Sequence, residues 1–101
     1  MNYVLHPAAA LEHEQQVAYY QERQAGLGAR YHSAFKAAVA LACATPRRFK
    51  IIREPEIRKI RLQGFPYNLI YREAGEVIQI LAVAHHRRRP EYWAGRVTYN
   101  R

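Results

Sequence analysis

The chain has 101 residues, half of them hydrophobic, with a net charge of +8 and a pI near 10.1. That length fits a single domain, residues 1–101, with a real but modest core. The hydrophobic share excludes a disordered chain, and a lone cysteine, Cys43, excludes an internal disulfide.

The charge is unevenly placed. Residues 1–46 hold three basic residues (Arg23, Arg30, Lys36) and three acidic ones (Glu12, Glu14, Glu22), so the whole excess lies in residues 47–101. One half reads as scaffold and the other as an electrostatic footprint for a polyanion: RNA, DNA or an acidic protein. The start of the chain has no basic leader and no long apolar segment. No signal peptide, no membrane and a cytoplasmic location are therefore expected.

In chain order, Asn2 to His6 is a short strand closed by Pro7. Pro7 opens a helix running to about Ala25, with Leu11, Ala18 and Tyr19 as its expected inner stripe and Gly26 as a left-handed cap. Gly26-Leu27-Gly28 is a tight link between antiparallel helices. The second helix spans about Leu27 to Ala44. Leu27, Tyr31, Phe35, Ala38, Val39 and Ala42 form its buried face, Cys43 is a small core residue, and Thr45-Pro46 ends the helix. Phe49, Ile51 and Ile52 make a short strand within a basic connector. Arg58 to Leu62 alternates as a half-buried strand. Gln63-Gly64-Phe65-Pro66 turns the chain into a strand from Tyr67 to Arg72, and a hairpin at Gly75 follows, with positive φ expected at the glycine.

Val77 to Ala84 is nearly continuous in apolar residues, so it is buried on both faces and central in its sheet. It runs into His85-His86-Arg87-Arg88-Arg89. A short helix from Pro90 to about Gly95, carrying Tyr92 and Trp93, is expected next. The fold class is α+β: an N-terminal strand and a two-helix hairpin on a small, mainly antiparallel sheet.

The basic cluster thus sits at the end of a rigid strand, where a binding or catalytic group is best supported. Guanidiniums bind phosphates and aromatic rings stack bases. Adjacent strand residues point to opposite faces, so at most one of His85 and His86 joins the cluster unless the strand has already ended. The five histidines lack ligand spacing, and no metal or other cofactor is expected. Ser33 and Cys43 have no triad setting, and there is no glycine-rich phosphate loop.

Several of these residues together resemble the RelE/ParE toxin superfamily, and its ParE-like, plasmid-stabilisation branch most. The matching residues are Pro7 with its Ala/Glu helix, Tyr19-Tyr20, Gly26-Leu27-Gly28 and Phe35. They continue with Arg61-Leu62, Phe65-Pro66-Tyr67 and Tyr71, and end with Ile80 to His85, Arg87-Arg88, Pro90, Tyr92-Trp93 and Arg96. The resemblance implies the toxin of a type II toxin–antitoxin pair, causing growth arrest and held by a cognate antitoxin that folds on binding. ParE-like members inhibit DNA gyrase without established nuclease activity. RelE-like members cut mRNA on the ribosome. Where such nucleases carry an arginine after the Phe-Pro turn, this chain has Asn68, and His86 stands at a later arginine position.

The expected target-binding residues are Arg87, Arg88, Arg89, Tyr92 and Trp93, and the expected antitoxin contacts are Arg58, Arg72 and Arg87. If the chain cuts RNA, the resemblance assigns catalysis to His86, Tyr92 and Arg61. A third reading is a basic nucleic-acid-binding module or an inactive toxin, marked by salt-dependent binding without growth arrest.

Overall fold

The computed structural model describes residues 1–97. The elements are β1 (Asn2–Leu5), α1 (Pro7–Arg23), α2 (Leu27–Ala44), β2 (Ile51–Arg53), β3 (Ile57–Arg61), β4 (Tyr67–Ala74), β5 (Val77–His85) and a 3₁₀ turn, Ala94–Val97. The strands form one five-stranded sheet in the order β1-β5-β4-β3-β2. β1 runs parallel to β5, and the other neighbours are antiparallel. β5 is an interior strand, as its apolar run demands, but the middle position belongs to β4.

The two helices share one face of the sheet. α2 follows the sequence pattern: Tyr31, Phe35, Ala38, Val39 and Ala42 are buried against Ile60, Leu62, Leu69, Tyr71, Ile78, Ile80 and Val83. Tyr67 and Tyr71 both point inward, at 7% and 0% exposure. The helices pack closely because the first turn of α2 carries Gly28. A Cβ there would meet the Val17 carbonyl oxygen at 2.7 Å, closer than such atoms approach.

α1 departs from its expected facing. Leu11, Ala18 and Tyr19 are all exposed, Leu11 at 53%. The face turned inward carries Ala9, Glu12, His13, Gln16, Val17 and Tyr20. It is a polar stripe, so a count of apolar spacings selects the wrong side. α1 also ends at Arg23, ahead of the expected stop, while Gly26 does take the left-handed conformation, at φ +88°. Gly75 takes positive φ as expected, at +68°.

The opposite face of the sheet holds a second, smaller core of Ile57, Ile70, Leu81, Ala82, Ala84 and Trp93. One irregularity in β5 makes this possible. Ile70 pairs with Ala82 and Tyr71 with Ile80, leaving Leu81 as an extra residue in the ladder. Such a bulge interrupts the alternation of side chains. Leu81 and Ala82 both belong to the second core, while Ile80 and Val83 belong to the helix-side core.

The C-terminal segment covers this second face. It is not a helix from Pro90, as the sequence suggests. Residues 90–93 are turns, and only Ala94–Val97 is helical. The cause is Glu91, at φ +59°, a left-handed value that a right-handed helix cannot contain. No helix among the described residues is long and apolar enough to cross a membrane.

Candidate target-binding surface at the end of β5

The end of β5 is pinned by its backbone. The His86 N–H donates to Pro66 O at 3.0 Å, and the Arg88 N–H to His85 O at 3.0 Å. His85 Nδ1 accepts the Arg87 N–H at 3.0 Å, so this imidazole shapes the turn. Its ring stands edge-on to Tyr67, 5.0 Å between centroids, beside Gln16, Tyr19 and Tyr20. His86 is exposed and lines a cleft on the other face with Asn68, Ile70, Ala84, Arg88, Arg89 and Trp93. The cleft measures about 210 Å³. β5 ends at His85, so strand alternation does not separate the two histidines: His85 also borders this cleft, but His86 is the exposed one of the pair.

The cations divide into two groups. Four arginines are held by carboxylates: Arg47 by Glu73 at 2.9 Å, Arg53 by Glu91, Arg58 by Glu56 at 3.3 Å and Arg96 by Glu12 at 2.8 Å. Arg58 also donates to the carbonyls of Arg47 and Phe49, which fastens the basic connector to β3. Arg72 donates to Gln79 Oε1 at 3.0 Å. Of the expected antitoxin contacts, Arg58 and Arg72 thus have internal partners, and Arg87 is exposed.

Lys59, Arg61, Arg87, Arg88 and Arg89 are exposed and, among the described residues, have no carboxylate partner. Arg61 pairs across the ladder with Asn68, and Asn68 with Ala84, so the three share the face on which His86 lies. The His86 pKa is lowered, first by desolvation and then by Arg61, His85 and Lys59. The imidazole is therefore biased toward its neutral form. Arg88 lies over the Tyr92 ring, 3.8 Å from its centroid, close enough for cation–π attraction.

The aromatic pair is an anchor. Trp93 is 3% exposed and fills the second core. The Tyr92 hydroxyl donates to Glu12 Oε2 at 2.8 Å. Burial, followed by this hydrogen bond to a carboxylate, raises the Tyr92 pKa and keeps the phenol protonated. The inner stripe expected from the sequence, Leu11, Ala18 and Tyr19, leaves Glu12 out. Its nearest signal is a carboxylate at helical spacing between Ala9 and Gln16, which becomes informative only once β5 is known to lie beside it.

His13 was also unforeseen. It stacks on Phe35 at 3.9 Å and meets His32 Nδ1 through Nε2 at 2.9 Å. Desolvation, then the neighbouring His32, lowers its pKa to about 4. Among the described residues, no three His, Cys, Asp or Glu side chains converge on one point that could hold a metal ion.

Fold and surface together define a small α+β module that displays exposed cations at a buttressed strand end. The family model described as the ParE toxin of the type II toxin–antitoxin system parDE matches residues 3–90, and the chain belongs to that family. Among solved structures, one described as the chromosomal ParDE TA system from P. aeruginosa superposes with a TM-score of 0.69 at 19% identity. The match covers 84% of this chain and 95% of the other, a likeness of fold. No curated protein sequence matches significantly.

Proposed function

We propose that this ParE-family toxin arrests growth by binding DNA gyrase in the cytoplasm, through the unpaired cations at the end of β5 and without chemistry of its own. The engagement of Tyr92 is the observation that favours binding over cleavage. Acid–base scission needs a proton carrier free to reach the reacting group. The Tyr92 hydroxyl is committed to Glu12 and held protonated. Asn68, a neutral residue, stands opposite Arg61.

The chain's partner is a cognate antitoxin, in keeping with a structural neighbour described as a ParDE system. An acidic antitoxin meets Arg87 and the neighbouring free cations. Its affinity falls with added salt, because exposed charges are screened.

The test uses purified protein in two assays. Gyrase supercoiling is inhibited, or cleaved DNA is trapped, and mRNA in a translating ribosome stays intact. Arg87→Ala weakens the inhibition, and so does Trp93→Ala by loosening the segment, whereas His86→Ala changes little. A specific observation supports the second reading: His86 is a neutral-biased imidazole beside Arg61. Cutting of mRNA in the ribosomal A site, slowed ~10²–10⁴-fold by His86→Ala, would establish an endoribonuclease instead. Unimpaired growth with abundant folded protein would leave an inactive toxin or a nucleic-acid-binding module.

A further inference from the structure

Beyond Ile80, the outer edge of β5 has no strand beside it among the described residues, because β1 stops at Leu5. Peptide groups at a covered edge still need partners. Two residues one turn apart on α1 supply them. Glu12 Oε1 accepts the Val83 N–H at 3.1 Å, and Gln16 Nε2 donates to Val83 O at 3.2 Å. The other Glu12 oxygen accepts from the Tyr92 hydroxyl and from Arg96 Nη2, both at 2.8 Å. Arg96 Nη1 completes the edge by donating to Leu81 O at 2.9 Å. The Glu12 side chain is only 13% exposed.

We propose that Glu12 is a positioning residue for the C-terminal basic segment, holding Tyr92 and Arg96 on the open edge of β5 and placing Arg88 through the Tyr92 ring. The proposal rests on the reading that this segment is the toxic surface. A carboxylate with three donors, two of them from the segment, admits a narrow range of poses. Charge-assisted bonds of this kind are the strong ones. The Tyr92 ring carries Arg88 at 3.8 Å and Arg96 at 5.1 Å, so fixing its hydroxyl fixes the platform on which a free cation rests. Glu12 itself has no place in the exposed cluster. It acts from α1, on the net-neutral half of the chain.

The experiment uses full-length Glu12→Gln, with Trp93 as a built-in probe, since it is the only tryptophan. Far-UV circular dichroism stays native and melting stays cooperative. Trp93 emission shifts to the red, and acrylamide quenches it more. About tenfold more protein is needed for the same growth arrest, equivalent to ~1.4 kcal/mol. Tyr92→Phe keeps the ring, removes one donor and gives the same changes to a smaller degree. It also carries the test if Glu12→Gln does not fold. The double variant is no worse than Glu12→Gln alone, because the two act in one chain of contacts.

Unchanged Trp93 quenching in a folded Glu12→Gln would overturn the proposal. Fully additive effects of the two substitutions would overturn the route through Tyr92. A loosened Trp93 with undiminished growth arrest would uphold the hold of Glu12 on the segment and overturn the segment as the toxic surface.

Discussion

Helix α2 presents Tyr31, Phe35, Ala38, Val39 and Ala42 to the sheet, while its neighbour α1 presents Ala9, Glu12, His13, Gln16 and Tyr20. Both are of similar length and both pack on the same side. The difference lies in what each meets. α2 lies over side chains of a paired sheet, where non-directional apolar contact suffices. α1 lies beside the bare edge of β5, where peptide groups need donors and acceptors. α2 therefore supplies stability, and α1 supplies placement. A polar residue on the inward face of a helix can thus mark an unfinished strand edge.

Substitutions on the two faces sharpen this contrast. The largest effect is expected from Phe35→Ala, which removes a ring at 4% exposure from the α2 face. It should cost roughly 3–5 kcal/mol in denaturant unfolding. A loss below about 1 kcal/mol would contradict the α2 facing, since that is the range of surface changes.

Next comes Glu12→Leu, which puts an apolar side chain on the α1 face. If that face were ordinary core, the change would stabilise. Because it strips the half-buried Arg96 of its counter-ion, about 1.5–3 kcal/mol of destabilisation is expected.

Acid should act through His13. The fold holds its pKa near 4, below the ordinary 6.5, so between these values the unfolded chain binds a proton that the native one refuses. The contribution of His13 is complete above about pH 6.5 and is lost as the pH falls toward 4. Melting temperatures across that window should decline, and His13→Leu should flatten the decline.

The smallest effects belong to the exposed residues. Leu11→Gln on α1 and Arg89→Ala in the basic segment should each leave stability within about 0.5 kcal/mol. A larger loss for Leu11→Gln would restore the α1 facing expected from the sequence.

Much of this molecule is legible in its sequence. The bounds of α2 are those its apolar spacing predicts, and the hairpin at Gly75 and the α+β class follow from turn residues and strand patterns. The facing of α1 is not legible, because its rule lies in the edge of a strand more than 60 residues away, as the separation of 67 between Gln16 and Val83 shows. The terminal helix is over-read because nothing in Pro90-Glu91-Tyr92 announces a left-handed glutamate. The basic cluster is visible at once, but its division into held and free cations is not. That division depends on which carboxylates folding brings near. Arg47 and Glu73 are 26 residues apart, Arg53 and Glu91 38, and Arg96 and Glu12 84. Trp93 follows the same logic: its neighbours in sequence are exposed or half-buried, but its neighbours in space are a second core.

The bulge at Leu81 bears on comparison across relatives. Up to Ile80, even-numbered residues of β5 look toward the helices; beyond Leu81, odd-numbered ones do. Deleting Leu81 would leave the two histidines where they are, because regular alternation from Ile80 then puts Ala82 outward and Val83 inward as before. A relative of equal length that paired every residue of this strand would instead exchange the faces of the two imidazoles. Two sequences aligned histidine to histidine could then offer different imidazoles to the same target. The bulge, more than strand length or residue identity, sets which of the pair is on offer.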